Sequence, residues 1–352
     1  MAILQVCAFG APSPGNFIAA LTALENCMKE RGIETIYAFA ETAKGRPWCD
    51  ALCQRAKVYF LPVAKARILP KTYQVFRKIY RENTVEIIHT HFELYDIPAT
   101  VTAPKSAKIF WHLHDPIKQF YIKGPLSRKF LTKFQYSVVA KRTDGLLSVS
   151  NEHAAFVSSL GFPSEKIQLC PNGINTNNIH KVTPGKDIRF LMFGWDVYRK
   201  GVDLAVSAVQ TLSYPPCIWI VGLDACKSYL SSVNAPSIRY LSPVSDVNVL
   251  YQEVTAFLHI SRAEGQSYAL LEAIYAGLPV ICSDIPENEF ARQFRNVTFV
   301  SNENVPQIAS ALQSVAQSQP PCNCDISYNR AIIDSSYSLQ AWCHTIAAHY
   351  GV

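Results

Sequence analysis

The sequence predicts an α/β protein with two doubly wound domains, each a parallel sheet with helices on both faces. Short runs of β-branched and aromatic residues alternate with segments of helical periodicity along all 352 residues. Six of these strand candidates precede residue 180 and six follow it. Strands that alternate with helices form parallel sheets, because a parallel connection needs a long crossover. A chain of this length suits two domains of about 100–200 residues each.

The strand candidates are bounded by segments with turn or helix signals. PGNFIAALTALENCMKERG predicts the first helix, with Phe17, Leu21, Leu24 and Met28 on one buried face and Gly32 at its end. The strands before residue 180 are ILQVCAF, TIYAFA, VYFLPV, EIIHTHF, AKIFWHL and GLLSVS, and those after it are IRFLMFG, IWIVG, IRYL, TAFLHI, VICS and VTFV.

A linker is predicted where Pro, Gly and Asn cluster, in PNGINTNNIHKVTPGKD. We therefore expect an N-terminal domain over residues 1–178 and a second domain from residue 179. Ligands of doubly wound sheets bind beyond the carboxyl ends of the strands. Two such domains facing each other would form a cleft lined by strand-end loops and helix N-termini.

The composition is that of a globular protein, with 49% hydrophobic and 17% charged residues and a mean hydropathy of +0.06. The N-terminus, MAILQVCAFGAP, lacks a basic leader and is typical of a first strand. The strongest apolar run, CIWIVGL, is far shorter than the ~20 residues of a membrane span. The 11 scattered cysteines lack zinc-site spacing, so we expect reduced cysteines in a cytoplasmic protein.

The positive charge is concentrated in the first half of the chain. Residues 1–178 contain 22 Lys and Arg against 13 Asp and Glu, whereas the whole chain has a net charge of +6. This asymmetry favours an anionic partner for the first domain.

A basic, aromatic helix is predicted within residues 117–143, which contain seven cations and no acidic residue. Such a helix can lie on an anionic membrane surface. The stretch lacks any nucleic-acid reader motif, so we expect no nucleic-acid partner. An ordinary solvated helix face remains the alternative. The cations are Lys118, Lys123, Arg128, Lys129, Lys133, Lys141 and Arg142.

The segment SRAEGQSYALLEAIYAGLPVICSD follows the strand TAFLHI. Ser267 is predicted to cap a helix that Gly277 ends. Glu264 then lies in a loop at a strand end, and Glu272 lies on the helix. The free N–H groups around Gly265, Gln266 and Ser267, together with the helix dipole, favour a diphosphate.

Two carboxylates in this arrangement suit the binding of hydroxyl groups, because a carboxylate accepts hydrogen bonds from diols. Glu272 stands in the apolar run ALLEAIYAGLPVI, where an unpaired charge is costly. We expect Glu272 to accept from two adjacent hydroxyls, as on a ribose, and Glu264 to accept from hydroxyls of a sugar.

This segment resembles the E-x7-E element of family 4 of the retaining GT-B glycosyltransferases. Further likenesses are LLSVSNEHAAFVSSLGFPSEKIQLCPNGIN, FLMFGWDVYRKGVDLAVSAV and YSLQAWCHTIAAHY. The resemblance implies a GT-B fold with a donor domain over residues 179–335 and a helix over 336–352 that packs back on the first domain. It also implies that Glu272 holds the ribose and Glu264 the transferred sugar.

The cations Arg199 and Lys200 precede a predicted helix, where the dipole disfavours them unless they face phosphates. In the family, the lysine before the glycine contacts the diphosphate, which implies this role for Lys200. Trp195 stands where the family often has a second cation. Either Arg199 supplies that charge or the site has one cation.

Other candidates also follow predicted strands. The resemblance places His114 near the donor sugar, and His112 should point the same way. His89 and His91 end the strand EIIHTH, and either a cleft role or a structural role is open to them. Gly15 and Asn16 would form the first domain's lip of the cleft, while Gly222 and Val244 would flank a nucleobase by analogy with the fold.

The sequence contains no Asp-x-Asp, so we expect no metal ion and no other cofactor. Positive groups and a helix N-terminus would stabilise the leaving diphosphate instead. The predicted reaction moves a sugar from a UDP- or GDP-sugar to a glycan or lipid-linked acceptor, with Glu264, His114 and Lys200 as catalytic residues. A non-catalytic GT-B sugar-binding subunit, and another GT-B enzyme such as a phosphorylase or epimerase, remain alternatives.

Overall fold

The computed structural model describes residues 1–180, 187–244 and 246–352. The chain divides into two units, Met1–Gly173 with Leu339–Val352, and Ile174–Ser338. The division therefore falls before the predicted boundary at residue 178, and the returning segment begins at Leu339 rather than residue 336. The reason is local pairing, because the Ile174 amide donates to the Tyr337 carbonyl at 2.8 Å. Part of the predicted linker, residues 181–186, lies outside the described residues.

The first unit contains a parallel sheet of seven strands in the order β3-β2-β1-β4-β5-β6-β7. Six of these strands were predicted, and the seventh, in EKIQLC, is too short to show periodicity. The doubly wound order places the switch between β1 and β4. The strands are β1 Ala2–Cys7, β2 Glu34–Ala40, β3 Lys57–Leu61, β4 Val85–His91, β5 Lys108–Leu113, β6 Gly145–Ser148 and β7 Ile167–Leu169.

The helices of the first unit connect these strands. The predicted face of the first helix is confirmed, since Phe17, Leu21, Leu24 and Met28 are all buried. Gly32 has a φ of 71° just beyond the helix end. The helices are α1 Gly15–Glu30, α2 Pro47–Cys53, α3 Pro70–Glu82, α4 Asp96–Thr102, α5 Ile117–Lys123, α6 Leu126–Ser137 and α7 Asn151–Ser159.

The second unit contains a parallel sheet of six strands in the order β10-β9-β8-β11-β12-β13. Phe190 and Leu191 point to opposite faces of β8, yet both are buried, as expected for a sheet covered by helices on both sides. The strands are β8 Arg189–Phe193, β9 Cys217–Val221, β10 Ile238–Leu241, β11 Ala256–His259, β12 Val280–Asp284 and β13 Val297–Ser301.

The helices of the second unit follow its strands in the same alternation. No helix in the described part of the chain has the length and apolar character of a membrane span. The helices are α8 Val202–Gln210, α9 Asp224–Ser232, α10 Asn248–Glu253, α11 Tyr268–Ala276, α12 Val305–Gln317 and α13 Asn323–Ser336.

The last helix, α14 (Leu339–Tyr350), belongs to the first unit and packs against α1. Trp342, Ile346 and Tyr350 are buried there with Leu24 and Met28. The predicted return of the C-terminal helix to the first domain is therefore confirmed.

One pair of cysteines departs from the sequence-based expectation. Cys322 and Cys324, which begin α13, form a disulfide with their Cα atoms 5.4 Å apart. That separation lies within the range that a disulfide requires. The expectation of reduced cysteines is therefore wrong for this pair, while nine other cysteines are free.

Candidate functional site

Helix α11 begins and ends where the sequence predicts. The Ser267 hydroxyl accepts a hydrogen bond from the Leu270 amide at 3.3 Å, and Gly277 adopts a left-handed conformation with a φ of 89°. A serine cap and a glycine stop are local signals that need no tertiary information. They place Glu264 in the loop after β11 and Glu272 inside the helix.

Glu264 is buried and lies between two cations of another loop. Its Oε1 accepts from Lys200 Nζ at 2.5 Å, and its Oε2 accepts from Arg199 Nη1 at 3.3 Å. Burial acts to raise the pKa of Glu264, but the neighbouring charges, Lys200 foremost, outweigh it and lower the pKa to about 2. The carboxylate is therefore ionised at neutral pH, and the three side chains together carry a net positive charge.

A histidine that the sequence did not single out completes this group. His259, the last residue of β11, is buried with Nε2 3.9 Å from Glu264 Oε1. Burial lowers its pKa to about 4, so the ring is neutral at pH 7. Its position at the end of the strand that leads into the Glu264 loop was the signal available in the sequence.

A glycine allows the two loops to approach closely. Gly201 has a φ of 75°, and a Cβ at this position would lie 2.3 Å from the Ile260 carbonyl oxygen. The Arg262 amide donates to the Arg199 carbonyl at 2.7 Å, which joins the loops directly. Only glycine fits this turn, and the turn places Arg199 and Lys200 in contact with Glu264.

The same junction is held by an ion pair. Both terminal nitrogens of Arg262 donate to the Asp203 carboxylate, at 2.8 and 2.7 Å. A bidentate pair of this kind fixes orientation as well as distance. Asp203 belongs to the KGVD motif, but its partner lies 59 residues away and was not predicted from the sequence.

Glu272 is buried in a different environment. Tyr251 on α10 donates its phenolic hydrogen to Glu272 Oε2 at 2.8 Å. Burial, and then the Glu272 charge, raise the pKa of Tyr251 well above its usual value, so the phenol remains a donor. The apolar run around Glu272 therefore contains a partnered carboxylate, and the partner comes from another helix.

Trp195 stands where a second cation is expected and supplies no positive charge. Its ring stacks on Phe193 with a centroid distance of 5.7 Å, and the residue is 38% exposed. Arg199, by contrast, reaches the same carboxylate as Lys200. Of the two sequence-based alternatives, this geometry favours Arg199 as the second cation.

The remaining second-unit candidates lie at strand ends. Gly222 follows β9, where a Cβ would lie 2.5 Å from the Cβ of Cys226. Val244 follows β10 and packs on the hydrophobic core of the unit. Gly222 therefore has a packing reason for being glycine, and contact of either residue with a nucleobase stays a prediction. Gly265 and Gln266 are buried in the loop before Ser267.

The histidine candidates of the first unit form a connected group. His114 lies between Asn172 Oδ1, 3.0 Å from its Nδ1, and His91 Nδ1, 3.1 Å from its Nε2. His91 continues the chain to Gln5 through a contact of 2.8 Å between Nε2 and Oε1. Burial lowers the pKa of His114 to about 4, so this ring is neutral at pH 7.

The group extends to the C-terminal helix. Tyr350 on α14 contacts His89 Nδ1 at 2.6 Å and accepts from Gln5 Nε2 at 3.1 Å. The ring of His112 stacks on that of His114 with centroids 4.1 Å apart, so the two side chains point the same way as predicted. The contributions of Gln5, Asn172 and Tyr350 depend on strand pairing and helix docking, which single motifs do not reveal.

Three of these histidines approach the geometry of a metal-ligand set. Nitrogen atoms of His89, His91 and His112 lie within 4.8 Å of one another, and all three residues are buried. The neighbouring strands β4 and β5 bring them together, since His91 pairs with His112 in the sheet. The expected absence of a metal stays a prediction.

The predicted lip of the first unit begins a helix. Gly15 is the first residue of α1 and has a φ of 54°, a conformation that favours glycine. Asn16 follows it in the first turn. Their contact with a donor stays a prediction.

The basic segment differs from the single helix expected. It forms α5 and α6, which are separated at Gly124 and Pro125, because proline begins a new helix and cannot continue an old one. Lys118 pairs with Glu152, and Arg128 pairs with Glu93 at 2.8 Å. Lys123, Lys129 and Lys133 lie on these helices, with Lys129 near the ring of Tyr121. Leu126 and Phe130 are 83% and 76% exposed.

The fold has relatives among solved structures. Sucrose-phosphate synthase from Thermosynechococcus elongatus has a TM-score of 0.80 and 14% identity, with 99% of this chain and 98% of that chain covered. Anabaena Alr3699/HepE in complex with UDP has a TM-score of 0.76 and 15% identity, with all of both chains covered. Together with two doubly wound sheets, these likenesses define a GT-B glycosyltransferase fold.

Sequence comparison carries the classification further. Residues 20–178 match the family described as Glycosyltransferase Family 4, and residues 187–318 match the family described as Glycosyl transferases group 1. The chain thus belongs to the group 1 glycosyltransferases of family 4. Lipopolysaccharide glucosyltransferase WaaG of Escherichia coli is 26% identical over 167 residues, which span 41% of this chain and 45% of that protein.

Proposed function

We propose that this protein is a retaining glycosyltransferase that takes a sugar from a nucleotide-sugar, without a metal ion, and transfers it to a hydroxyl group. The observation that carries this proposal is the buried Glu264 carboxylate between Arg199 and Lys200, on loops beside the N-terminus of α11. In a GT-B fold, such strand-end loops are where a ligand binds.

The electrostatics of this group suit a diphosphate. Two cations and one carboxylate leave a positive charge in a buried setting, and the N-terminus of α11 adds its dipole. A diphosphate that binds Arg199 and Lys200 competes with Glu264 for them. The released carboxylate then accepts hydrogen bonds from sugar hydroxyls.

Glu272 suits the ribose of the donor. Tyr251 donates to this carboxylate, and we infer that the ribose hydroxyls donate to it as well. Solved relatives of the same fold are complexes with UDP and with UDP-glucose. We infer a UDP- or GDP-sugar as the donor and favour UDP on this ground.

The chemistry requires cleavage of the bond between the anomeric carbon and the phosphate oxygen. Negative charge develops on the diphosphate as this bond breaks, and Lys200 and Arg199 stabilise it. The acceptor hydroxyl attacks the anomeric carbon from the face that the diphosphate leaves. The departing phosphate takes the proton of this hydroxyl. His114, neutral at pH 7, would contact the transferred sugar as a hydrogen-bonding partner.

The basic, aromatic helices α5 and α6 support an acceptor at a membrane surface. Their exposed Leu126 and Phe130 alternate with Lys123, Lys129 and Lys133. An anionic bilayer attracts such a surface through charge and apolar burial. We infer a glycan or lipid-linked acceptor, a role in cell-surface polysaccharide or glycoconjugate synthesis, and a cytoplasmic protein that attaches to the inner face of the membrane.

The test is a panel of nucleotide-sugars incubated with the pure protein, with and without EDTA. We expect slow hydrolysis of one donor, unchanged by EDTA, with retention at the anomeric carbon seen by NMR. Glu264→Gln serves as the inactive counterpart, because it keeps the size of the side chain and removes its charge. Loss of hydrolysis in EDTA, or an inverted product, would overturn the metal-independent or retaining part of the proposal.

A second candidate is a non-catalytic GT-B sugar-binding subunit. Trp195, an aromatic side chain where a cation is expected, is the observation that favours it. This alternative predicts tight binding of a nucleotide-sugar with no turnover on the same panel.

A further inference from the structure

A cavity of about 580 Å³ lies in the first unit at the carboxyl ends of four strands. Residues just beyond β1, β3, β4 and β5 contribute to it, and α6 forms its outer wall. Apolar side chains make up much of the lining, which includes Val63, Ile68, Phe92 and Leu131. The carboxyl edge of a doubly wound sheet is the usual place for a ligand.

Two arginines converge on one carboxylate in the wall of this cavity. Nη2 atoms of Arg67 and Arg128 each lie 2.8 Å from Glu93 Oε1. The Arg67 and Glu93 side chains are only 10% and 7% exposed, whereas that of Arg128 is 39% exposed. Lys65 adds a third cation and Asp115 a second carboxylate, which leaves the lining with a net positive charge.

This charge group is incompletely satisfied by the protein. The buried Glu93 Oε2 and Arg67 Nε have no hydrogen-bond partner among the described residues. Buried charges are costly unless their donors and acceptors are used. Unsatisfied buried polar atoms are rare in folded proteins, so this charge group beside the cavity is not explained by packing alone.

The backbone around the cavity is strained at two positions. Lys65 has a φ of 52°, and Phe92 has a φ of 65° with a ψ of 157°, a region that glycine almost alone occupies. Phe92 lines the cavity, and its ring centroid lies 5.0 Å from that of His114. Strain in residues that line a cavity is typical of a functional site, and the cavity borders a proposed catalytic residue.

We propose that this cavity binds the acceptor and that the acceptor carries a phosphoryl group, which Arg128, Arg67 and Lys65 recognise. The proposal rests on the glycosyltransferase function given above. Arginine binds phosphate through paired hydrogen bonds, and the apolar lining accommodates the carbon skeleton of the same molecule. A singly charged phosphodiester balances the net charge of the lining.

The surroundings of Arg128 are compatible with two sources of the phosphoryl group. This arginine lies on α6, the helix that also exposes Leu126 and Phe130. A lipid-linked phosphate would reach the cavity along this helix, and a soluble sugar phosphate would reach it directly. The shared chemistry is the phosphoryl group, and the two sources are separated by experiment.

The test uses calorimetric titration of the full chain with dodecyl phosphate, below its micelle concentration, and with dodecyl maltoside as the neutral counterpart. We expect dodecyl phosphate to bind at least roughly tenfold more tightly, because hydrogen bonds between charged groups are stronger than neutral ones. Glucose 1-phosphate forms a third arm. Competition by it identifies a soluble phosphorylated acceptor, whereas binding of dodecyl phosphate alone identifies a lipid-linked one.

Arg128→Gln should weaken the binding of dodecyl phosphate roughly tenfold, and Arg128→Lys should weaken it less, because Lys keeps the charge but loses the paired geometry. Arg77→Gln, an identical change on an exposed position of α3, is the matched control and should change nothing. Equal loss in Arg128→Gln and Arg77→Gln, or equal binding of the anionic and neutral amphiphiles, would overturn the proposal.

UDP binding by the same samples separates this inference from the proposed function. If the Arg128→Gln protein still binds UDP but loses dodecyl phosphate binding, both the cavity proposal and the glycosyltransferase proposal are supported. UDP binding without any selectivity for the phosphoryl amphiphile rejects the cavity proposal alone. Binding of dodecyl phosphate by a protein that binds no UDP or GDP would reject the acceptor role and the glycosyltransferase proposal with it.

Discussion

At the scale of single residues, the two glutamates eight positions apart behave differently. Glu264 lies between two cations and has a pKa of about 2, whereas Glu272 is bound by a phenol. The sequence motif therefore contains two carboxylates in different environments. The first lies against two cations, and the second accepts a hydrogen bond from a neutral phenol.

Glu272→Ala should abolish turnover of the donor and lower the affinity for UDP at least about tenfold, because the ribose loses its acceptor. The substitution also leaves the buried Tyr251 hydroxyl without this partner, which costs about 1–3 kcal/mol of unfolding free energy. UDP titration and thermal unfolding measure the two effects. Tyr251→Phe is the control, since it removes the hydrogen bond and keeps the carboxylate. A fully active Glu272→Ala protein would refute the donor role.

The charge on Glu264 predicts a pH dependence of stability. The pKa falls from 4.5 to about 2 on folding, so Glu264 stabilises the folded state above pH 4.5 and loses this effect as the pH falls through 2. The free energy of unfolding of the wild type should therefore exceed that of Glu264→Gln most at neutral pH. Urea unfolding from pH 7 to 3 measures the difference. A difference that grows on acidification would show that the ion pairs do not stabilise the fold.

At the scale of elements, the basic segment shows how a proline changes the interpretation of a sequence. The composition of residues 117–143 predicted one amphipathic helix, but Pro125 divides it into α5 and α6. Because of this division, at least one of the basic residues faces the cavity, since Arg128 pairs with Glu93 in the cavity wall. The remaining exposed apolar residues form a shorter and more localised surface than the sequence suggested.

Exposed apolar residues of α6 should determine membrane attachment. We expect the protein to float with anionic liposomes at low salt, and we expect the double change Leu126→Ser with Phe130→Ser to reduce the floating fraction severalfold. Neutral liposomes should bind less at every salt concentration. Tyr214→Ser, an exposed aromatic residue of the second unit, is the matched control. Equal flotation of the double variant and the wild type would exclude α6 as the attachment surface.

At the scale of the whole molecule, local signals were predictable and distant partners were not. Ser267 and Gly277 bound α11 as expected, and the buried face of α1 followed from its periodicity. The Tyr251–Glu272 hydrogen bond and the Arg262–Asp203 ion pair join residues 21 and 59 positions apart. Such contacts depend on helix packing and loop approach, which carry no signature in one sequence.

The histidine group is an intermediate case. The period of two along β5 predicted that His112 and His114 point the same way, and they do. The pairing of β4 with β5 brings His89 and His91 beside this pair, and Tyr350 also contacts His89. The sequence thus predicted the shared orientation of His112 and His114, whereas the larger histidine group depends on strand pairing in the sheet.

The second unit should bind the donor alone. Its first and last residues pair in a parallel bridge between Ile174 and Ser338, so its ends are held together without the rest of the chain. We expect a fragment of residues 174–338 to fold cooperatively and to bind UDP within about tenfold of the full chain. Circular dichroism and calorimetric titration test this, with Glu272→Ala in the fragment as the control. A folded fragment that does not bind UDP would show that donor binding needs the first unit.

The position of α14 has a consequence for the synthesis of the protein. Its residues complete the buried core around Met28 and Phe110, yet they are synthesised after the second unit. An apolar surface of the first unit therefore stays exposed while the second unit is synthesised. A nascent chain that stops before α14 leaves this apolar surface uncovered, so complete folding of the first unit depends on synthesis of residues on both sides of the second unit.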